Sequence, residues 1–299
     1  MTAELAEQLP WLTPSVTRLE SLFSAQRLPH AILLAGPPGW GQAQLADWLA
    51  RRLLGLSDAE PGPMSEVAHA DLRWTVPDGA MIKVDQVRAL AQFAVGTRQL
   101  AQHKVAVLDR AHCLNESAAN GLLKTLEEPP PQTVLVLVTE YASRLLPTIR
   151  SRCQRFDVRP DAALGQQWLE QTFGDDSAAL AFEYGGAPLA VAAALEREER
   201  SLAGALAGAL AGQWSALHAE LVQADVATVL LRWLRYVVAE LSGSGRLTGL
   251  QSSTPRALLA FQAELVAAQG QFVSSNSVNH RLQLERLALR FAQLAAPVA

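Results

Sequence analysis

Ala31-Ile-Leu-Leu-Ala-Gly-Pro-Pro-Gly-Trp-Gly-Gln-Ala43 decides how the first half of the chain is read. It opens with a compact apolar run and turns through glycine and proline. A helical pattern follows, with Leu45, Trp48, Leu49, Leu53 and Leu54 on one side. A strand, a tight turn and a helix in that order bring backbone N–H groups and a helix N-terminus to one point, the arrangement that holds phosphate in loops spaced GxxxxGK[ST]. Gly36 and Gly41 keep that spacing, with Gly39 between them. Gln42 stands where the lysine belongs and Ala43 where the hydroxyl belongs. Lysine carries positive charge to the β- and γ-phosphates and the hydroxyl helps to hold Mg²⁺; an amide and a methyl do neither. Taken alone, the loop reads equally as a phosphate loop stripped of its chemistry or as a plain glycine-rich turn.

Working outward, short β-rich runs alternate with helical patterns. Trp74–Val76, Lys104–Leu108, Thr133–Val138 and Gln154–Val158 read as further strands. Helices are expected through Val84, Val87, Leu90, Ala91 and Ala94, and again after Asn115, a good N-cap, through Ala118, Ala119, Leu122, Leu123 and Leu126. Pro129-Pro130-Pro131 ends the second of these. The alternation predicts an α/β domain with a parallel sheet and helices on both faces. Strand signals stop after Pro160. Short helices broken by Gly174, Gly185, Gly186 and Pro188 follow, then longer helical patterns, notably 224–241 and 278–294, with a Gly/Ser/Thr-rich loop at 242–255. The expected division is an α/β domain over 1–158, a small helical lid over 159–200 and an all-α C-terminal bundle over 201–299.

The strand at 104–108 runs into Asp109, the place of a Walker-B aspartate. An active ATPase of this kind has glutamate next, to orient the attacking water; this chain has Arg110. With lysine, hydroxyl and glutamate lost together, no hydrolysis is expected at this site. As a bland alternative, Asp109 is a turn or cap residue.

Bulk properties narrow the class further. The chain has 299 residues, 49% of them hydrophobic, and a net charge of −4. That is ample for a buried core, and the acidic balance favours protein partners over autonomous DNA binding. Two cysteines, Cys113 and Cys153, and six scattered histidines form neither CxxC nor HExxH, so no cysteine-rich zinc site is expected. The low cysteine count fits a reducing cytoplasm. Met1 to Pro10 does not read as a secretory signal, and the apolar stretches are too short to span a bilayer.

Two later segments are more specific. Ala118-Ala-Asn-Gly-Leu-Leu-Lys-Thr-Leu-Glu-Glu-Pro-Pro130 is followed about twenty residues on by Thr148-Ile-Arg-Ser-Arg-Cys-Gln-Arg-Phe156. The block and the Ser151-Arg152-Cys153 core resemble the hallmark segments of clamp-loader subunits of the AAA+ family, as does Arg27-Leu-Pro-His30 ahead of the first strand. The resemblance is strong over 27–158, weaker over 159–200 and architectural beyond. Gamma/tau members of that family keep a working phosphate loop and a DE pair, and delta members generally lack SRC; this chain has SRC without the loop chemistry. It departs from many members in having no four-cysteine zinc module between Leu54 and His69. It also has Leu189, within Gly186-Ala-Pro-Leu-Ala190, where AAA+ proteins place the sensor-2 arginine.

The resemblance implies a subunit with no ATP hydrolysis and no zinc, working in the cytoplasm and, through the replisome, at the nucleoid. It implies membership of the bacterial DNA polymerase III holoenzyme, whose complex polymerises DNA, with gamma/tau and delta as partners and no homo-oligomer. Through the complex it would meet the sliding clamp and primer–template DNA and help to place one on the other. Arg152, with Ser151 and Cys153 as its motif, would act as an arginine finger on the ATP of an adjacent subunit. Read without the family, Arg152 is a surface arginine near Arg150 and Arg155. Lys124 and Thr125 lie on the helix that would line the loader's inner face; a solvated lysine is the plain alternative. Thr139 holds a sensor-1-like position. Val278, Leu282, Leu287, Phe291 and Leu294 suit a collar shared with partners or an ordinary intrachain bundle. An autonomous AAA+ ATPase with an unusual loop, and a non-replicative adaptor on the same fold, remain as the other readings.

Overall fold

The computed structural model describes residues 6–56, 62–174, 177–211, 213, 216–217, 226–244, 246–247, 254–274 and 280–295. They form two compact units: 1–172 with 187–193, and 173–186 with 194–299.

The first unit is built on a five-stranded parallel sheet of order β2-β3-β4-β1-β5, with β1 Ala31–Ala35, β2 Leu72–Thr75, β3 Lys104–Leu108, β4 Thr133–Thr139 and β5 Gln154–Asp157. β1, β3 and β4 are buried along their whole length, which is why they read as unbroken apolar runs rather than as alternating ones. Odd positions of β1 and β4 and even positions of β3 face α3 (Val84–Val95) and α4 (Glu116–Glu127) in one core. There Leu33, Ala106, Leu108, Leu135 and Leu137 meet Val87, Leu90, Leu122 and Leu126. α2 (Gln42–Leu54) packs against β1, β3 and β4, and its five expected apolar positions are all buried. Asn115 caps α4, its side chain accepting from Ala118 N at 2.8 Å.

Three strands differ from expectation at their ends, β4 by running one residue further, to Thr139. β2 starts at Leu72 and stops at Thr75, leaving Val76 exposed, because its only neighbour in the sheet is β3 and their register ends at Thr75–Leu108. β5 ends at Asp157, where its register with Ala35 of β1 runs out. The helix α1, Thr13–Ser24, carried no distinct signal in the sequence reading. α5 (Pro147–Arg150) and α6 (Ala162–Phe173) complete the run into the shorter helices.

The segment after α2 is tied back by charged side chains. Arg51, 2% exposed, pairs with Asp47 at 2.7 Å and donates to Gly62 O, while Asp47 accepts from Met64 N. Residues 57–61 of that stretch lie outside the described residues, as do Val278 and part of the 242–255 loop.

The second unit contains α7 (Ser177–Glu183), α9 (Leu202–Leu210), α10 (Val226–Leu241), α11 (Pro255–Ser274) and α12 (His280–Ala295). α8 (Pro188–Glu196) begins among the residues of the first unit and ends among those of the second. The second unit's core gathers Leu202, Leu206, Leu230, Trp233, Val237, Phe261, Leu265, Leu287 and Phe291. Leu287 and Phe291 are therefore intrachain core residues, Leu294 packs at its margin, and Leu282 is 63% exposed. One ion pair is buried here. Glu183 accepts from Arg232 Nε, Ser201 Oγ, Leu202 N and Tyr236 OH, and Arg232 also donates to Glu199 and to Arg200 O.

Candidate functional site

The carboxyl ends of β1, β3 and β4 carry most of the residues singled out in the sequence. Gly36–Gly41 leaves β1 and α2 begins at Gln42, as the spacing predicts. Gln42 is 4% exposed and turns its amide back on the loop: Nε2 donates to Pro37 O at 2.8 Å and also to Gly36 O. Gln42 thus supplies neutral N–H donors to the loop's own carbonyls.

The second half of the loop, Gly39–Gly41, is covered by side chains of the same unit, while Pro37 and Pro38 stay exposed. Gly39, at φ 75°, is in the left-handed region, and a Cβ there would lie 2.9 Å from the Cβ atoms of both Ala187 and Ala190. Its carbonyl accepts from Leu189 N at 3.2 Å. A Cβ on Gly41 would meet Leu12 at 2.9 Å and Leu189 at 3.5 Å. The structure therefore brings Leu189 onto the loop, at the start of α8. Trp40 is buried, and its carbonyl accepts from Trp11 Nε1 at 2.9 Å. Trp11 packs edge-on against both Trp40 and Trp168, with ring centroids 5.9 and 5.5 Å apart. Trp11, Trp168 and Leu12 carry no local sequence signal that ties them to the loop. Trp40, a large aromatic inside a glycine loop, was the visible sign that something packs there.

At the end of β3, Asp109 accepts from Arg110 N at 2.7 Å. Burial pushes its carboxyl above the ordinary range, opposed by that hydrogen bond and by the Arg110 charge. Arg110 itself is exposed and left-handed at φ 48°. Glu140, just past β4, is also raised, first by burial and then by the Asp109 charge. Thr139 is fully buried; its hydroxyl is shared between His112 Nδ1 at 3.2 Å and Tyr141 N at 3.1 Å. Strand order puts β4 between β3 and β1, so Thr139 lies between the Asp109 strand and the loop strand.

Arg152 lies in the turn between α5 and β5. Its Nη2 is 2.6 Å from Glu127 Oε1, at the last residue of α4, and its Nη1 donates to Thr148 O at 2.9 Å. The side chain is 35% exposed. Ser151 Oγ donates to Thr148 O, closing the turn. Cys153 packs against the sheet core, and burial pushes its thiol up to about 11. Arg155 is paired with Asp157 at 2.7 Å, so the three arginines do not act as one basic cluster. On α4, Lys124 is exposed and Thr125 buried. Among the described residues no three His, Cys, Asp or Glu side chains stand together as a metal site would need, and no helix is long and apolar enough to cross a membrane.

A family model described as DNA polymerase III, delta subunit matches residues 12–162, which hold Gly36–Gln42, Asp109, Thr139 and Arg152 but not Trp11, Trp168 or Leu189. The DNA polymerase III subunit delta' of Pseudomonas aeruginosa is 33% identical, over 90% of this chain and 93% of its own length. The chain belongs to the DNA polymerase III delta-prime subunit family. The Escherichia coli subunit delta' is 29% identical over 96% of each chain. The delta-prime subunit is also the clamp-loader member to which the sequence pattern comes closest, with SRC present and the loop lysine absent. A gamma subunit-related protein of DNA polymerase III from Thermotoga maritima shares the fold, with a TM-score of 0.55 at 19% identity over 93% of this chain and 99% of that one.

Proposed function

We propose that this chain is a clamp-loader subunit that hydrolyses no ATP and lends Arg152 to the nucleotide of a neighbouring subunit, helping an assembly with gamma/tau and delta subunits to place a sliding clamp on primed DNA. One observation carries the reading. The phosphate loop is held by Gln42 and its Gly39–Gly41 half is packed against Trp11, Leu12 and Leu189, while the SRC arginine stands partly exposed in its turn. An arginine suits that task because its planar, permanently charged fork matches phosphate oxygens. The three-part division at 158 and 200 belongs to the same proposal. So does the collar: exposed apolar pairs one heptad apart, Leu231 and Val238, Leu259 and Val266, Leu282 and Leu289, lie on α10, α11 and α12 and suit packing against partner helices.

The test is reconstitution with gamma/tau and delta subunits. Arg152→Ala should assemble normally and cut the turnover of the site it serves by roughly 10³-fold or more, the range an arginine finger supplies. An unchanged rate removes the finger. Tight Mg–ATP binding by the isolated chain removes the inactive-site claim.

A further inference from the structure

Glu127 is the last residue of α4, where the helix dipole presents its negative end. A carboxylate there is electrostatically misplaced for the helix itself. It is the Arg152 guanidinium, arriving from a turn on the far side of β4 in sequence, that balances it at 2.6 Å. The contact uses Nη2, and Nη1 is taken by Thr148 O, so the arginine is held at both arms of its fork. Both side chains are substantially exposed, 35% for Arg152 and 50% for Glu127. Exposed pairs of this kind contribute little to stability, and the bond is easily exchanged for another anion. A phosphoryl group carries more charge and more acceptor oxygens than one carboxylate, so it wins the exchange when it is brought within reach.

We propose that Glu127 is a positioning residue for Arg152: it holds the guanidinium in place while no neighbouring phosphate is within reach and releases it when one arrives. This rests on the finger reading above. In a resting assembly the neighbour's phosphate comes within reach only part of the time and Glu127 holds the arginine for the rest, so Glu127 keeps the idle rate low. Once DNA and clamp bring the subunits together, the phosphate outcompetes the carboxylate and Glu127 has little further influence.

The experiment measures ATPase of the reconstituted assembly with and without primed DNA and clamp, for native chain, Glu127→Gln, Glu127→Asp and Arg152→Ala. Glu127→Gln should raise the DNA-free rate roughly two- to fivefold, the population change that freeing an exposed ion pair allows. The fully stimulated rate should stay within about a factor of two of the native rate, so that the stimulation ratio falls. Glu127→Asp, which keeps the charge, should restore part of that ratio. A stimulated rate that collapses in Glu127→Gln would mean the carboxylate supports the turn rather than restrains the finger. Two unchanged rates would mean an idle surface pair. Either result overturns the proposal while leaving the finger intact, whereas an unchanged Arg152→Ala rate removes the finger reading itself.

Discussion

Gln42 Nε2 lies 2.8 Å from the carbonyl oxygen of Pro37, so the residue at the lysine position holds its own loop. Restoring lysine and hydroxyl together, Gln42→Lys with Ala43→Thr, is therefore expected to leave hydrolysis undetectable. On the proposed reading Arg110 still stands where the water-orienting glutamate would be and Leu189 where a sensor cation would be, and Trp11 and Leu12 still pack against Gly39–Gly41. Steady-state phosphate release by the purified double variant checks this. Gln42→Ala, which removes the donor to the Gly36 and Pro37 carbonyls, should lower stability by about 0.5–1.5 kcal/mol in urea unfolding.

Gly39 tests the enclosure from the other side. Gly39→Ala places a methyl 2.9 Å from Ala187 and Ala190 at a left-handed backbone position. The combined strain and overlap should cost about 2–4 kcal/mol, read as a lower denaturation midpoint of the first unit. An open phosphate loop would tolerate the same change with only the backbone strain.

Arg232 and Glu183 are the one fully buried ion pair among the described residues, with side chains 2% and 0% exposed. Arg232→Ala leaves the buried Glu183 charge with only the neutral donors Ser201 Oγ, Leu202 N and Tyr236 OH and should cost about 3–5 kcal/mol. Replacing both partners with apolar residues should cost distinctly less, because no uncompensated charge remains. A double-mutant cycle followed by thermal unfolding measures the difference.

The sheet was legible because its central strands are buried on both faces, so β1, β3 and β4 each read as an unbroken apolar run between turn residues. The proposed losses at Gln42, Ala43, Arg110 and Leu189 rest on a different signal: motif spacing and the family pattern mark a place whichever residue stands there. What fills the place was not legible. Trp11, Leu12 and Trp168 reach the loop from segments about 30 residues before it and more than 120 after it, and nothing local in the sequence couples them to Gly36–Gly41. The Glu127–Arg152 pair was hidden in the same way. Both residues lay in recognised segments, but their contact depends on how α4 and the turn after α5 meet across the sheet's end.

Asp71 gives a pH prediction. It is fully buried, and although burial raises its carboxyl, hydrogen bonds from the N–H groups of Ala101, Leu100 and Gln99 outweigh that and hold it below the usual aspartate range. A carboxylate lowered in the folded state stabilises it above the unfolded value near about pH 4, and that contribution is lost as pH falls through the folded value. The stability gap between native chain and Asp71→Asn should therefore be constant above about pH 5 and shrink below about pH 4. Urea midpoints across that range read it directly. A gap that widens towards acid would contradict the assignment.

Cys153 sits beside Arg152, the proposed finger, and its reactivity separates a turn-shaping role from a chemical one. Burial holds its thiol at about 11. At neutral pH the thiolate, the reactive form, is thus about a hundredfold or more scarcer than in an ordinary cysteine. Cys113 is raised as well, first by burial. Iodoacetamide at neutral pH should therefore label neither residue on the timescale that labels free cysteine, and both should react promptly once the chain is unfolded in urea. Fast labelling of native Cys153 would mean that the turn opens and exposes it, and Arg152 beside it would then lack the fixed geometry that a finger requires.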